Sequence, residues 1–176
     1  MAAAPGGCDH LPMAEILVAV DGSEPSNAAI EVALELARAT GDTLVFATIW
    51  RELRGDFGLP YEALVAPDLV EAERDWARET LAAAAAAAER AGVKAETVSR
   101  RGAPAHELVR IARERGVRLI VIGSHGFGPI EGVIFGSVSA GVLHHARCPV
   151  LVVPARQPGA PAPPAGQEPA SRRAAE

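Results

Sequence analysis

The segment GSHGFGPIEGVIFGS, residues 123–137, carries the clearest chemistry in the chain. Gly123, Gly126 and Gly136 fall in the pattern G-x2-G-x9-G-S. Without a Cβ, Gly123 and Gly126 let the backbone turn sharply and come close to a ligand. Gly136-Ser137 stands where a helix begins. Free N–H groups point outward from a helix start, and the helix dipole favours an anion there. The Ser137 hydroxyl adds a further donor. This combination suits a di- or triphosphate. A second polar segment, Asp21-Gly22-Ser23, ends an apolar run near the start of the chain. Asp21 is either a ligand group or the carboxylate of an Asx-turn that caps the following helix.

Other chemistries fit these residues poorly. No G-x-x-x-x-G-K-[ST] is present, so the loop lysine of a P-loop NTPase is missing. Gly126-Phe127-Gly128 is followed by Pro129, Ile130 and Glu131, which spoils the last position of a dinucleotide fingerprint. Ser137-Val138-Ser139-Ala140-Gly141 lacks the first glycine of G-x-S-x-G, and no aspartate follows Asp75, so an esterase triad fails. Cys8-x-His10 and His145 with Cys148 lack the paired spacing of a zinc site. The loop offers donors but no lysine, no arginine finger and no carboxylate pair for a metal. The expectation is retention of a phosphate ligand with slow or no turnover.

The elements that must position these residues read as alternating strands and helices. EILVAV, TLVFATI, KAETVSR, RLIVIG and PVLVVP are the five candidate strands, from residues 15, 43, 94, 118 and 149. KAETVSR alternates most, with Ala95, Thr97 and Ser99 on one side, as a half-exposed edge strand should. The first helix starts at the N-cap Ser23 with Pro25 in its first turn, and ends at Gly41. The second is predicted over 67–91, with Leu69, Trp76, Ala83 and Ala87 on its inner face. The third follows Gly102-Ala103-Pro104 with Leu108, Ile111 and Ala112 inward, and the fourth runs from Ser137 to about Ala146. Strands alternating with helices call for a parallel sheet with right-handed crossovers. Residues 50–66 show no period and read as a long functional or mobile loop.

Composition sets the limits. In 176 residues, 49% are hydrophobic but only 4% aromatic, so the core must be built from Val, Ile, Leu and Ala. The formal charge of −5 gives no general attraction to nucleic acid. Two cysteines, Cys8 and Cys148, are no disulfide framework, and a reduced cytoplasm is the simpler expectation. No signal peptide and no membrane span is expected. Residues 1–13 read as a flexible lead, 14–155 as one domain, and 156–176 as a disordered Pro/Ala-rich tail.

VAVDGS, the G-x-P before the third helix, GSHGFG…GSVS and HARCPVLVV, taken in this order, resemble the universal stress protein family, over about residues 14–154. The resemblance implies a doubly wound α/β fold of the adenine nucleotide alpha hydrolase-like kind. Its five-stranded parallel sheet has order 3-2-1-4-5, with helices on both faces. It implies an ATP site, with or without Mg²⁺. There Ile122, Gly123, His125 and Gly126 line the ribose and first phosphates. Gly136, Ser137 and Val138 supply N–H groups. Asp21 meets the nucleoside end, and Ala19 and Ile49 wall and hydrogen-bond the adenine. It further implies a homodimer paired through the last strand, 149–153, which charge at Val150 or Val152 should break. The function expected is a cytoplasmic, ATP-dependent stress regulator that is not an enzyme. The alternatives are a nucleotide-independent dimeric interaction module and a slow ATPase.

Overall fold

Residues Glu15–Ala19 form β1, an apolar strand buried on both faces, as the centre of a parallel sheet must be. The computed structural model describes residues 14–50, 67–125 and 136–154. The lead 1–13, the tail from 155 and the loop expected over 50–66 (save Trp50) lie outside the described residues, as does Gly126. The remaining elements are α1 (Glu24–Thr40), β2 (Thr43–Trp50), α2 (Pro67–Ala91), β3 (Ala95–Arg101), α3 (Pro104–Arg115), β4 (Leu119–Gly123), α4 (Ser137–His145) and β5 (Val150–Val153). All strand pairs are parallel and the order is β3-β2-β1-β4-β5. The expected doubly wound fold is the one found.

Strand alternation divides the core in two. Ile16, Val18, Phe46 and Val121 face one side with Ala29 and Ala33 of α1 and Leu81, Ala84 and Ala88 of α2. Leu17, Val45, Ile120 and Ile122 face the other with Leu108 and Ile111 of α3 and Val142 of α4. The chain therefore winds one helix pair onto each face.

The helix ends follow the local chemistry. Ser23 caps α1, its Oγ accepting from Ser26 N–H at 3.3 Å, and Gly41 closes the helix in the left-handed region at φ 76°. Gly141 inside α4 has a packing reason: a Cβ there would stand 2.7 Å from Ala105 Cβ, so α3 and α4 cross closely.

The inner face of α2 differs from the expected one. Ala77, Leu81, Ala84 and Ala88 are buried, whereas Ala83 is exposed and Trp76 is 37% exposed. Ala87 is partly buried against the core, and the Leu69 side chain lies outside the described ones. The helix is rotated from the expected phase, and Trp76 is free to serve the site described below. Among the described residues no helix is long and apolar enough to cross a membrane.

Candidate functional site

Parallel strands all end on the same edge of the sheet. Order β3-β2-β1-β4-β5 reverses direction between β1 and β4, so the helices following those two strands diverge to opposite faces and leave a crevice. A cavity of about 570 Å³ opens there. Its floor is the end of β1 and β2: Ala19, Val20, Ala47 and Ile49. Ile122, Gly123 and His125 approach from β4, and Gly136, Ser137 and Val138 from the start of α4. Asp21 closes a third side. Nine of the ten residues expected at the site thus line one cavity, and the tenth, Gly126, lies outside the described residues.

Asp21 does the turn chemistry and faces the cavity as well. Its Oδ1 accepts from Ser23 N–H at 3.0 Å and from Ser23 Oγ at 2.6 Å. Among the described residues its other oxygen carries no hydrogen bond. The Asx-turn fixes the carboxylate while leaving one oxygen for a ligand. Ser26 Oγ accepts from Asp21 N–H at 3.2 Å, which holds the turn against α1.

Gly123 is needed for a reason the sequence did not suggest. A Cβ there would meet the Pro25 carbonyl carbon at 2.8 Å and Pro25 Cβ at 2.9 Å. The end of β4 and the start of α1 pack too closely for any side chain. Gly136 is less confined, with a Cβ falling 3.1 Å from His125 Cα, a tight contact that small shifts could relieve.

A clasp at Ser124 sets these distances. Its carbonyl accepts from Gly136 N–H at 2.7 Å and from the buried Ser139 Oγ at 2.8 Å. Its N–H donates to Val153 O at 2.7 Å, and its hydroxyl pairs with His125 Nδ1 at 2.8 Å. The start of α4 is therefore pinned to the end of β4. One expectation changes here. Gly136 N–H is spent on the clasp and is not free for a ligand. Among the described residues, the free donors are the next amides, beginning with Ser137 and Val138, which precede the first helical bond from Ala140 N–H to Gly136 O. No side chain caps this helix and no acidic residue stands in its first turn. The first turn of α1, by contrast, holds a capping serine and Glu24. The α4 end keeps its donors and its positive pole for something else.

The backbone of Ile49 is the other open group. In a parallel ladder alternate residues turn both backbone groups to the same neighbour. Ala47 O accepts from Val20 N–H at 2.8 Å, so Ala47 and Ile49 both face β1. Past Val20 the first strand has turned into Asp21, and Val20 O is taken by the Thr48 hydroxyl at 2.8 Å. Among the described residues, nothing pairs with Ile49 N–H and C=O, which are left at the cavity wall.

Sequence reading missed the wall built by α2 and α3. Trp50, Glu73 and Trp76 close one side, and Pro104 and Leu108 another. Trp50 was within reach, since it ends β2 on the ligand-binding edge of the sheet. The Arg74 guanidinium lies 5.4 Å and that of Arg101 5.8 Å from its ring centre, on cation–π terms. Glu73 gave no signal in the sequence. Among the described residues no group of three metal-ligating side chains exists, and burial pushes the Cys148 thiol up.

Comparison with known proteins agrees with this geometry. The model of the universal stress protein family matches residues 13–154. The universal stress protein YxiE of Bacillus subtilis is 36% identical over 146 residues, 79% of this chain and 97% of that protein. A universal stress protein family structure from Burkholderia pseudomallei is 34% identical with a TM-score of 0.62, covering 86% of this chain and 100% of that one. A universal stress protein solved in complex with cAMP is 29% identical with a TM-score of 0.63, covering 81% and 98%. With the family's pattern matched along its whole ordered sheet, this chain belongs to the universal stress protein family.

Proposed function

We propose that the cavity binds an adenine nucleotide, ATP foremost, and that the protein is a nucleotide-dependent stress-response regulator with little or no ATP turnover. One observation carries this reading. Three unsatisfied features of different chemistry meet in one cavity: the uncapped α4 start, the free Asp21 oxygen and the open Ile49 backbone. They suit phosphate, ribose and base in turn. In this reading Ser137 and Val138 N–H groups hold phosphate, and Ile122, Gly123, His125 and Gly126 line the ribose and first phosphates. Asp21 meets the nucleoside hydroxyls, and Ala19 and Ile49 hold the adenine. The relative solved with cAMP lends support. Mg²⁺, where used, arrives on the phosphates.

Low turnover follows from what surrounds the phosphates. The chain has a single lysine, Lys94, and it precedes β3 at the opposite end of the sheet. Phosphoryl transfer depends on cations clamped to the transferring group. A steady-state ATPase rate of ~1 s⁻¹ or more, typical of kinases, would overturn this part of the reading.

Ser137→Pro tests the phosphate contact. Proline is tolerated at the first helical position, and the preceding Gly136 already has the extended backbone (φ −69°, ψ 165°) that proline demands. The helix survives and one N–H is lost. Calorimetric titration should show ATP binding weakened by about 10- to 100-fold, the worth of a charge-assisted hydrogen bond. Unchanged affinity would remove the α4 start from the site.

A homodimer through β5 belongs to the same proposal. Among the described residues β5 pairs with β4 alone and its far edge is unpaired. Pro149 O and Val153 O accept bonds from β4, so by alternation Val150 and Val152 turn their N–H groups outward. Their side chains pack against the core, so a charge there disturbs folding as well as pairing. Val152→Pro removes an outward N–H without costing an internal bond. Light scattering should then give monomers; persistent dimers would reject this edge.

A further inference from the structure

Both tryptophans of the chain, Trp50 and Trp76, line the cavity, but their rings are not in the same state. Trp50 already carries the guanidiniums of Arg74 and Arg101. Among the described residues no cation and no ring lies against Trp76, which stays 37% exposed while its neighbour Ala77 is fully buried. The fold sets this open indole on one side of a slot. β2 has α2 packed on one face and α3 on the other. In a parallel sheet both helices set out from the edge where the strands end. The first buried side chain among those described in α2 is Ala77, so Glu73 and Trp76 stand at that edge. α3 begins at Pro104, and Pro104 and Leu108 line the cavity from its side. The space past the end of β2 therefore lies between an α2 wall bearing Trp76 and an α3 wall bearing Pro104 and Leu108.

We infer that Trp76 is the stacking platform for the base: its indole covers one face of the purine ring, and Pro104 and Leu108 cover the other. This rests on the nucleotide reading above and deepens it. A flat ring fits between two such walls where a branched group does not. Stacking asks only for an accessible apolar ring face and no hydrogen-bonding atom, and Trp76 offers that face. An indole left in water also forgoes the gain of burying its apolar surface, and a ligand that covers it recovers this gain. Trp50 closes the side of the slot, its ring being engaged already by Arg74 and Arg101.

Two measurements on the full chain test this. Trp50→Phe leaves Trp76 as the sole tryptophan, and saturating ATP should quench its fluorescence. That experiment leaves Trp76 itself untouched. Calorimetric titration then compares ATP binding by the unchanged protein, Trp76→Ala and Trp76→Phe. Trp76→Ala should bind ATP about 10- to 100-fold more weakly, the worth of one base stacked on an aromatic ring. Trp76→Phe keeps a ring in place and should recover most of that loss. The melting point without ligand should barely move, because the indole is exposed and alanine suits a helix. Unchanged Trp76 emission at saturating ATP overturns the stacking role and leaves the nucleotide reading intact. So does ATP affinity kept within about twofold in Trp76→Ala, or a loss that phenylalanine fails to recover. Failure of ATP to bind the unchanged protein overturns both.

Discussion

Phe46→Ala is expected to cost about 3–5 kcal/mol of folding stability. The ring is fully buried, in the middle of β2, among Val18 of β1 and the α1–α2 face of the core. Among the described residues this core cluster is otherwise aliphatic, so none of them offers a ring to turn into the gap. The loss combines the transfer of the ring with the cavity that rigid sheet neighbours cannot close. Against a total of about 5–15 kcal/mol, that is a large share. Urea unfolding should show a lower midpoint with an unchanged slope. The next residue, Ala47, faces the opposite side and lines the site. Nucleotide affinity of the still-folded fraction should therefore fall far less than stability. A cost under about 1 kcal/mol would mean that this half of the core repacks freely.

Saturating ATP should stabilise the folded state by an amount of similar size. A ligand that binds only the native state contributes about 4 kcal/mol at a thousandfold excess over Kd. For a chain of this length each kcal/mol moves the melting point by about 2–4 °C, which gives a rise of roughly 8–16 °C. Ser137→Pro at the same ATP concentration should rise less, because its Kd is weaker. Differential scanning calorimetry reads both. An unchanged melting point for the parent protein in excess ATP would count against the proposed ligand directly, without any assumption about a particular residue.

Much of this architecture is written in local sequence. Apolar runs of Val and Ile ending in Asp21-Gly22-Ser23 or Gly123 announced buried strands with polar ends, and the rule that ligands sit beyond such ends placed the site. The rotation of α2 was not legible for a plain reason. From Ala82 to Ala88 every residue is the same, so the helix carries no polarity contrast to fix its phase. Ala83 is exposed and Ala84 buried, and nothing in the side chains distinguishes them. Tertiary packing chose, and it turned Trp76 to the site. Gly123 illustrates a different limit. Its need to be glycine was visible, but the cause is Pro25, about a hundred residues earlier, and only the fold brings the two together. The Ser124 clasp was invisible too, because a backbone carbonyl has no sequence signature.

That clasp makes the segment between it a replaceable cassette. Its two ends are tied by the same carbonyl, so the path from His125 to Gly136 begins and finishes at nearly one point. For a stretch closed in this way, doubling its length adds only ~0.6 kcal/mol of closure entropy. Engineers, or evolution, can therefore lengthen, shorten or exchange residues 127–135 while the donors of α4 stay where they are. The start of α4 belongs to the frame, and the sequence that joins it to β4 can vary around it.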